Sequence, residues 1–346
     1  MTKSLRLCQA DSMKNEILAK ENAHAVHLRY VHDGMPGITR IKKGKAFVYK
    51  NESGKVIRNR KIIERINSLA IPPAYLKVWI CPFENGHLQA TGIDARGRKQ
   101  YRYHVKWRAV RDENKYGRMT DFGKALPKIH RQVKKDIKLP GLTKEKVLAA
   151  IVELLEKTLI RVGNEEYAKE NQSYGLTTMH NKHVQVTGSH VHFEFKGKSG
   201  VYHQVDFNDP KLAKIIKSCR DLPGHELFEY VDTSGDRHLI RSEDVNEYLQ
   251  SITGEDFTAK DFRTWYGTVL AAQALNEFEK FDSEAEAKRN VSEAIGKVAI
   301  RLGNTKAICR KCYIHPAILE CYFDKTLPQN LSVENASALM AFLKKK

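Results

Sequence analysis

The stretch Thr258–Leu270, TAKDFRTWYGTVL, decides how this chain folds. Thr258 and Asp261 stand three apart, the spacing of a capping box that opens a helix. Phe262, Trp265, Tyr266, Val269 and Leu270 follow at helical intervals, so one face is apolar and faces a core. Arg263 falls in the first turn, beside that face. An arginine at the edge of a buried stripe holds a charge where core meets surface.

Downstream, Ser283 and Glu286 form a second capping box, and Val291, Ile295, Val298 and Leu302 share one helical stripe. Gly303 suits the left-handed residue that ends such a helix, and Asn304 comes just beyond it. A basic linker with Lys306, Arg310 and Lys311 leads to Tyr313, and Pro316 opens a last helix. Upstream, Leu126 to Ile137 reads as a basic helix. Thr143 caps another, with Val147, Ile151, Leu154, Leu155 and Thr158 at helical spacing and Arg161 just past its end. One β-hairpin interrupts the helices. Val184 and Val186, then Val191, Phe193 and Phe195, alternate with polar residues, Val201, Val205 and Phe207 alternate on the return side, and Lys198 sits at the tip between Gly197 and Gly200.

The first third has a different character. Ala46–Tyr49, Val78–Cys81 and His87–Thr91 are strand-like, with Asn85-Gly86 as a hairpin signal and a short helix over Ile62–Ser68. The pattern turns helical from about Phe122, and the polar stretch Asp112–Arg118 marks the boundary. The expected fold class is α+β, with a small β-rich N-terminal domain over 1–115 and a mostly α-helical domain carrying a β-hairpin over 116–346.

Of 346 residues, 59 are Lys or Arg against 41 Asp or Glu, a net charge of +18 that favours nucleic acid as partner. No stretch reaches the ~18 apolar residues of a membrane span, and Met1–Lys20 lacks the apolar segment of a secretory signal. Six scattered cysteines fit a reducing compartment. Cys309-x-x-Cys312 stands alone, with His315 near it and no evident fourth ligand, so no metal is expected. Gly197-Lys198-Ser199 imitates the end of a phosphate loop, but His192 occupies the position of its first glycine and the context is a hairpin. No nucleotide site follows.

Five segments in order resemble the active-site blocks of type IB DNA topoisomerases. They are Leu159–Asn164, Phe195–Ser199, Thr258–Thr264, Leu302–Thr305 and Lys311–Pro316. The compact poxvirus-like and bacterial branch fits best by length. Gly92–Tyr103, GIDARGRKQYRY, resembles the DNA-contacting block of that branch. The resemblance covers roughly residues 25 to 325. It implies a clamp around double-stranded DNA, relaxation of supercoils without ATP, metal or other cofactor, no membrane, monomeric action, and a place on the bacterial nucleoid in the cytoplasm.

Residue by residue, the resemblance makes Tyr313 the nucleophile that forms a 3′-phosphotyrosine link. It makes Arg161 and Arg263 the ligands of the non-bridging oxygens, and Lys198 the general acid for the 5′-oxygen. Lys260, one turn before Arg263, supports them. Arg98, Lys99, Gln100, Tyr101 and Tyr103 contact DNA, as phosphate or base-edge ligands. Asn304 departs from the pattern, since many relatives carry histidine there. Asparagine donates a neutral hydrogen bond and no proton, so proton transfer falls to Lys198. His315 has no base role in the family block and reads as local packing before Pro316. Two other classes stay open at this point. A tyrosine recombinase shares the chemistry but usually carries histidine where this chain has Lys260. A non-enzymatic DNA-binding protein of the same fold would fit only Asn304.

Overall fold

The computed structural model describes residues 19–44, 46–95, 97–278, 281–331 and 335–345, without the side chains of 111–115 and 336. Cys8, Arg96, Lys346 and the sequence up to residue 18 lie outside the described residues. The chain divides into two compact units, with the division at Tyr116/Gly117.

The N-terminal unit is built on a five-stranded antiparallel sheet. Its strands are Ile38–Lys43, Ala46–Lys50, Leu76–Ile80, Leu88–Ile93 and Lys99–Tyr103, with the second strand at one edge and the fifth at the other. Alternation puts Ile38, Val78, Ile80 and Ala90 on the buried face, where Ile66 of helix Arg60–Ser68 meets them. Asn59 caps that helix, its side-chain Oδ1 accepting from Lys61 N–H at 3.0 Å. Arg65 then ties helix to sheet, donating to Gln89 Oε1 and to the Cys81 carbonyl, each at 2.7 Å.

The polar stretch Asp112–Arg118 holds the division between the units but does not interrupt the helix. It is part of a 32-residue helix, Val105–Asp136, that begins well before the expected start near Phe122. Gly117 and Pro127 are local breakers that the rest of the helix overrides.

In the C-terminal unit the TAKDFRTWYGTVL stretch opens helix Ala259–Asn276. Asp261 accepts from the Thr258 N–H at 2.8 Å, which is half of the anticipated box. This helix is buried on nearly every side, from Phe262, Trp265 and Tyr266 to Ala271, Ala272 and Leu275. Phe122 packs edge-on against Phe262 and Phe257, with ring centroids 4.9 and 5.3 Å apart. Helices Lys144–Thr158 and Glu284–Leu302 supply much of the surrounding core. Thr143 and Ser283 cap them as their sequences demand. Gly303 ends the second at φ 57°, and Leu159 ends the first at φ 56°.

Three readings need correction here. The single hairpin is a three-stranded antiparallel sheet, Val184–Thr187, His190–Lys196 and Tyr202–Asn208. The basic linker after Asn304 is a helix, Lys306–Cys312, capped by Thr305. Its exposed basic residues hid it, since a seven-residue helix offers too few turns for an apolar stripe. Helix Pro210–Arg220 and the two-stranded ribbon Glu229–Val231 with Arg237–Leu239 had no counterpart in the sequence reading.

Candidate active site

Helix Lys144–Thr158 ends in a left-handed turn at Leu159, and that turn delivers Arg161 two residues later. The Arg161 segment is strapped down by its neighbours. Its carbonyl accepts from Leu176 N–H at 2.9 Å, and the Val162 carbonyl accepts from Thr177 N–H at 2.6 Å. The approach is so close that a methyl group on Gly175 would sit 2.5 Å from the Arg161 oxygen, which explains the glycine.

Arg263 is only 4% exposed. Its Nη1 donates to the Leu159 carbonyl and its Nη2 to the Leu302 carbonyl at 2.7 Å. These are C-terminal carbonyls of two helices, groups left without intrahelical partners, so one guanidinium caps both ends. The fork is thereby fixed in orientation. Its Nε is buried without a hydrogen-bond partner, an uncommon condition for a charged donor.

Tyr313 closes helix Lys306–Cys312. Its half-buried ring lies beneath the Arg263 guanidinium, 5.1 Å from guanidinium carbon to ring centroid. The charges of both arginines act on the phenol. Asn304, just past Gly303, accepts from Arg161 Nη2 at 2.6 Å through Oδ1. Its Nδ2 makes only a long 3.4 Å bond to the Leu302 carbonyl. Four of the five expected residues, Arg161, Arg263, Asn304 and Tyr313, thus form one cluster.

Lys198 stands apart from that cluster. It is exposed in the short turn Lys198–Gly200, its ammonium 5.6 Å from the Tyr167 ring centroid. The neighbouring Gly197 lines the same small cavity as Arg161 and Arg263. Lys260 is exposed in the first turn of helix Ala259–Asn276.

Two neighbouring like charges, Arg263 buried and Arg161 half-buried, define the electrostatics. Burial lowers the Arg161 pKa, and burial together with the Arg161 charge lowers that of Arg263 to about 10. Both groups still carry a proton at neutral pH. An anion between them would relieve the repulsion and the desolvation together.

The sequence reading missed residues that hold the tyrosine in place. Thr268, fully buried, donates to the Tyr313 carbonyl at 3.2 Å and accepts from His315 N–H at 3.1 Å. Gly267 lets the chain come close, since a methyl group there would lie 2.8 Å from the Tyr313 oxygen and 3.1 Å from its Cβ. A glycine inside a strongly helical stretch was the available signal. We expect Gly267→Ala to push the Tyr313 segment outward and slow strand cleavage about 100-fold in single-turnover assays. An unchanged rate in a folded variant would mean that the contact does not position the tyrosine. His315 caps helix Pro316–Phe323, its Nδ1 accepting from Ala317 N–H at 3.1 Å.

A second missed residue is His203. Its ring stacks on Phe195, with centroids 5.0 Å apart and planes 9° from parallel. It lines the cavity shared by Arg161 and Arg263.

In the N-terminal unit the strand Lys99–Tyr103 carries the other expected contacts. Tyr101 and Tyr103 stack with centroids 6.0 Å apart, and Tyr101 is 48% exposed. The cations beside them are engaged. Arg98 pairs with Asp94 at 2.8 Å and Lys99 with Asp33 at 2.6 Å, while Gln100 Nε2 donates to Asp94 at 3.0 Å. Among the described residues no helix is long and apolar enough to cross a membrane.

Comparison with known proteins accounts for both units. Residues 104–337 match the family model of the eukaryotic DNA topoisomerase I catalytic core. Residues 46–94 match that of the bacterial DNA topoisomerase IB N-terminal domain. DNA topoisomerase 1B of Acanthamoeba polyphaga mimivirus is 34% identical over 295 residues, covering 83% of this chain and 88% of the relative. DNA topoisomerase 1B of vaccinia virus is 25% identical over 296 residues, covering 82% and 89%. The chain belongs to the type IB DNA topoisomerase family.

Proposed function

We propose that Tyr313 is the nucleophile with which this type IB DNA topoisomerase cuts one strand of duplex DNA. The phenolic oxygen bonds to the scissile phosphorus as the bond from phosphorus to the 5′-oxygen breaks. The phenol proton passes to solvent, and Lys198 supplies a proton to the departing 5′-oxygen. The product is a 3′-phosphotyrosine and a free 5′-hydroxyl end. That end rotates about the intact strand and attacks the phosphotyrosine, restoring the original bond. Bond energy is conserved across the cycle, so no nucleotide is consumed.

The observation that carries this reading is the buried Arg263 guanidinium over the Tyr313 ring, its Nε unpartnered, with the half-buried Arg161 charge acting on the same phenol. Phosphoryl transfer to a phenol needs donors fixed where charge builds on the equatorial oxygens. Arg161 and Arg263 fill that role, and Asn304 adds a neutral donor through Nδ2, its Oδ1 being occupied by Arg161. No metal is required, because the two cations already stand where a metal would act. Lys198 leaves the Tyr167 ring and reaches the leaving oxygen once DNA is bound. Lys260, at the start of the Arg263 helix, pairs with a flanking phosphate.

Duplex DNA is the partner, bound by a monomer. Arg98 and Lys99 exchange their carboxylate partners for phosphates, while Gln100, Tyr101 and Tyr103 present hydrogen-bonding and ring surface to the groove.

The test uses the leaving group. Lys198→Ala should slow cleavage of an ordinary duplex by roughly 10²- to 10⁴-fold, the usual worth of general acid catalysis. A substrate with sulfur at the 5′-bridging position leaves as a thiolate without a proton, so the same variant should cleave it at close to the wild-type rate. An equal defect on both substrates would remove Lys198 from the acid role.

A further inference from the structure

His203 occupies a place that neither the chemistry nor the helix ends account for. It lies on strand Tyr202–Asn208, directly across from Phe195, so its backbone is fixed by sheet register. Its ring fills the space between two glycines. A methyl group on Gly303 would fall 2.0 Å from His203 Cε1, and one on Gly197 would fall 2.6 Å from Cδ2 and Nε2. Gly197 precedes Lys198, and Gly303 precedes Asn304. The ring therefore packs against the backbone just ahead of both groups. The remaining cavity beside it, about 20 Å³, has room for one water, so the packing is close. Burial, followed by the charges of Arg161 and Arg263, lowers the pKa of the imidazole, which is neutral at neutral pH. A neutral ring adds no third positive charge to the arginine pair.

We propose that His203 is a positioning residue for strand cleavage, a rigid wedge that sets the spacing between the Lys198 turn and the Asn304 turn. The inference rests on the reading of Lys198 as the general acid. Displacing the wedge moves the Lys198 ammonium off the line of the leaving oxygen while leaving Tyr313 and Arg263 in place. Those two groups are held by other contacts, the Thr268 hydroxyl and the Leu159 and Leu302 carbonyls.

Gly197→Ala is the informative variant. Gly197 has φ −92°, open to any residue, so the new methyl group conflicts with the His203 ring and not with the backbone. On an ordinary duplex, Gly197→Ala and His203→Ala should each cleave about 10- to 100-fold slower than wild type in single turnover. His203→Phe keeps a flat ring on Phe195 and should stay within about 3-fold of wild type. Gly197→Ala combined with His203→Ala should be no slower than His203→Ala alone, because the two changes act on one contact. On the 5′-bridging sulfur duplex, Gly197→Ala should return to within about 3-fold of wild type, since no acid is needed. Thermal unfolding of each variant separates misplacement from misfolding. Should His203→Ala fail to fold, Gly197→Ala and His203→Phe on the two substrates still decide the matter.

Wild-type cleavage by Gly197→Ala overturns the wedge, as do defects that multiply in the double variant. So does His203→Phe being as slow as His203→Ala. A Gly197→Ala defect that persists on the sulfur substrate overturns it too, while a Lys198→Ala defect that persists there overturns the acid assignment beneath it. A wild-type protein that cleaves neither substrate overturns the reading of the whole site and this inference with it.

Discussion

Tyr313→Phe should abolish covalent capture of DNA and leave duplex binding unchanged. The substitution removes one oxygen and keeps the ring. The ring carries the contact with the Arg263 guanidinium at 5.1 Å, so the packing that positions the segment survives. The backbone bond from Thr268 to the Tyr313 carbonyl is untouched as well. What disappears is the oxygen proposed to attack phosphorus. A reaction whose chemical step runs through one nucleophile has no slower version of itself, so trapped protein–DNA adduct should fall below detection. Binding measured by filter retention or fluorescence anisotropy should stay within about 3-fold, because phosphate contacts dominate affinity. Adduct formed by the phenylalanine variant at any measurable level would place the nucleophile elsewhere.

Arg263→Ala is the second large effect, and it acts on two levels. The guanidinium satisfies the carbonyls of Leu159 and Leu302 at the ends of two core helices. Deleting it leaves the Leu159 carbonyl without this donor and the Leu302 carbonyl with only the long Asn304 bond, a cost of about 1–3 kcal/mol for a buried acceptor left unpaired. In the proposed mechanism it also removes a fixed cation from the developing charge on the phosphate, and the chemical step should slow about 10²- to 10³-fold. Arg263→Lys separates the two. An ammonium keeps the charge but lacks a planar fork that spans two carbonyls and still presents Nε, so cleavage should remain impaired. Denaturant midpoints give the first effect and single-turnover rates the second. An alanine variant with wild-type midpoint and wild-type rate would contradict both.

Much of the C-terminal fold was legible because its punctuation is local. The Thr258–Asp261 and Ser283–Glu286 spacings, Gly303 and Pro316 each mark a helix end within four residues, and the structure places helix ends there. Local signals failed where tertiary packing overrides propensity. Gly117 and Pro127 lie inside one continuous helix, and the exposed basic residues of Lys306–Cys312 concealed a helix ending at Tyr313. Arg161, Arg263, Asn304 and Tyr313 could be singled out by resemblance. Their convergence could not, because it depends on contacts spanning 143 residues from Arg161 to Asn304 and 104 from Arg263 to Leu159. Thr268 and His203 are invisible to pattern reading for the same reason, and Gly267 shows only as a glycine inside a helical stretch. Each matters through the backbone atom it meets.

The most direct measurement follows supercoiled plasmid with wild-type protein in EDTA and without ATP, stopped with denaturant so that the covalent adduct is retained for peptide mapping. The account predicts relaxation of supercoils of both signs, with DNA linked through its 3′-phosphate to the peptide that contains Tyr313. Failure to relax in the absence of metal and nucleotide would contradict it, as would a 3′-phosphate attached to any other residue.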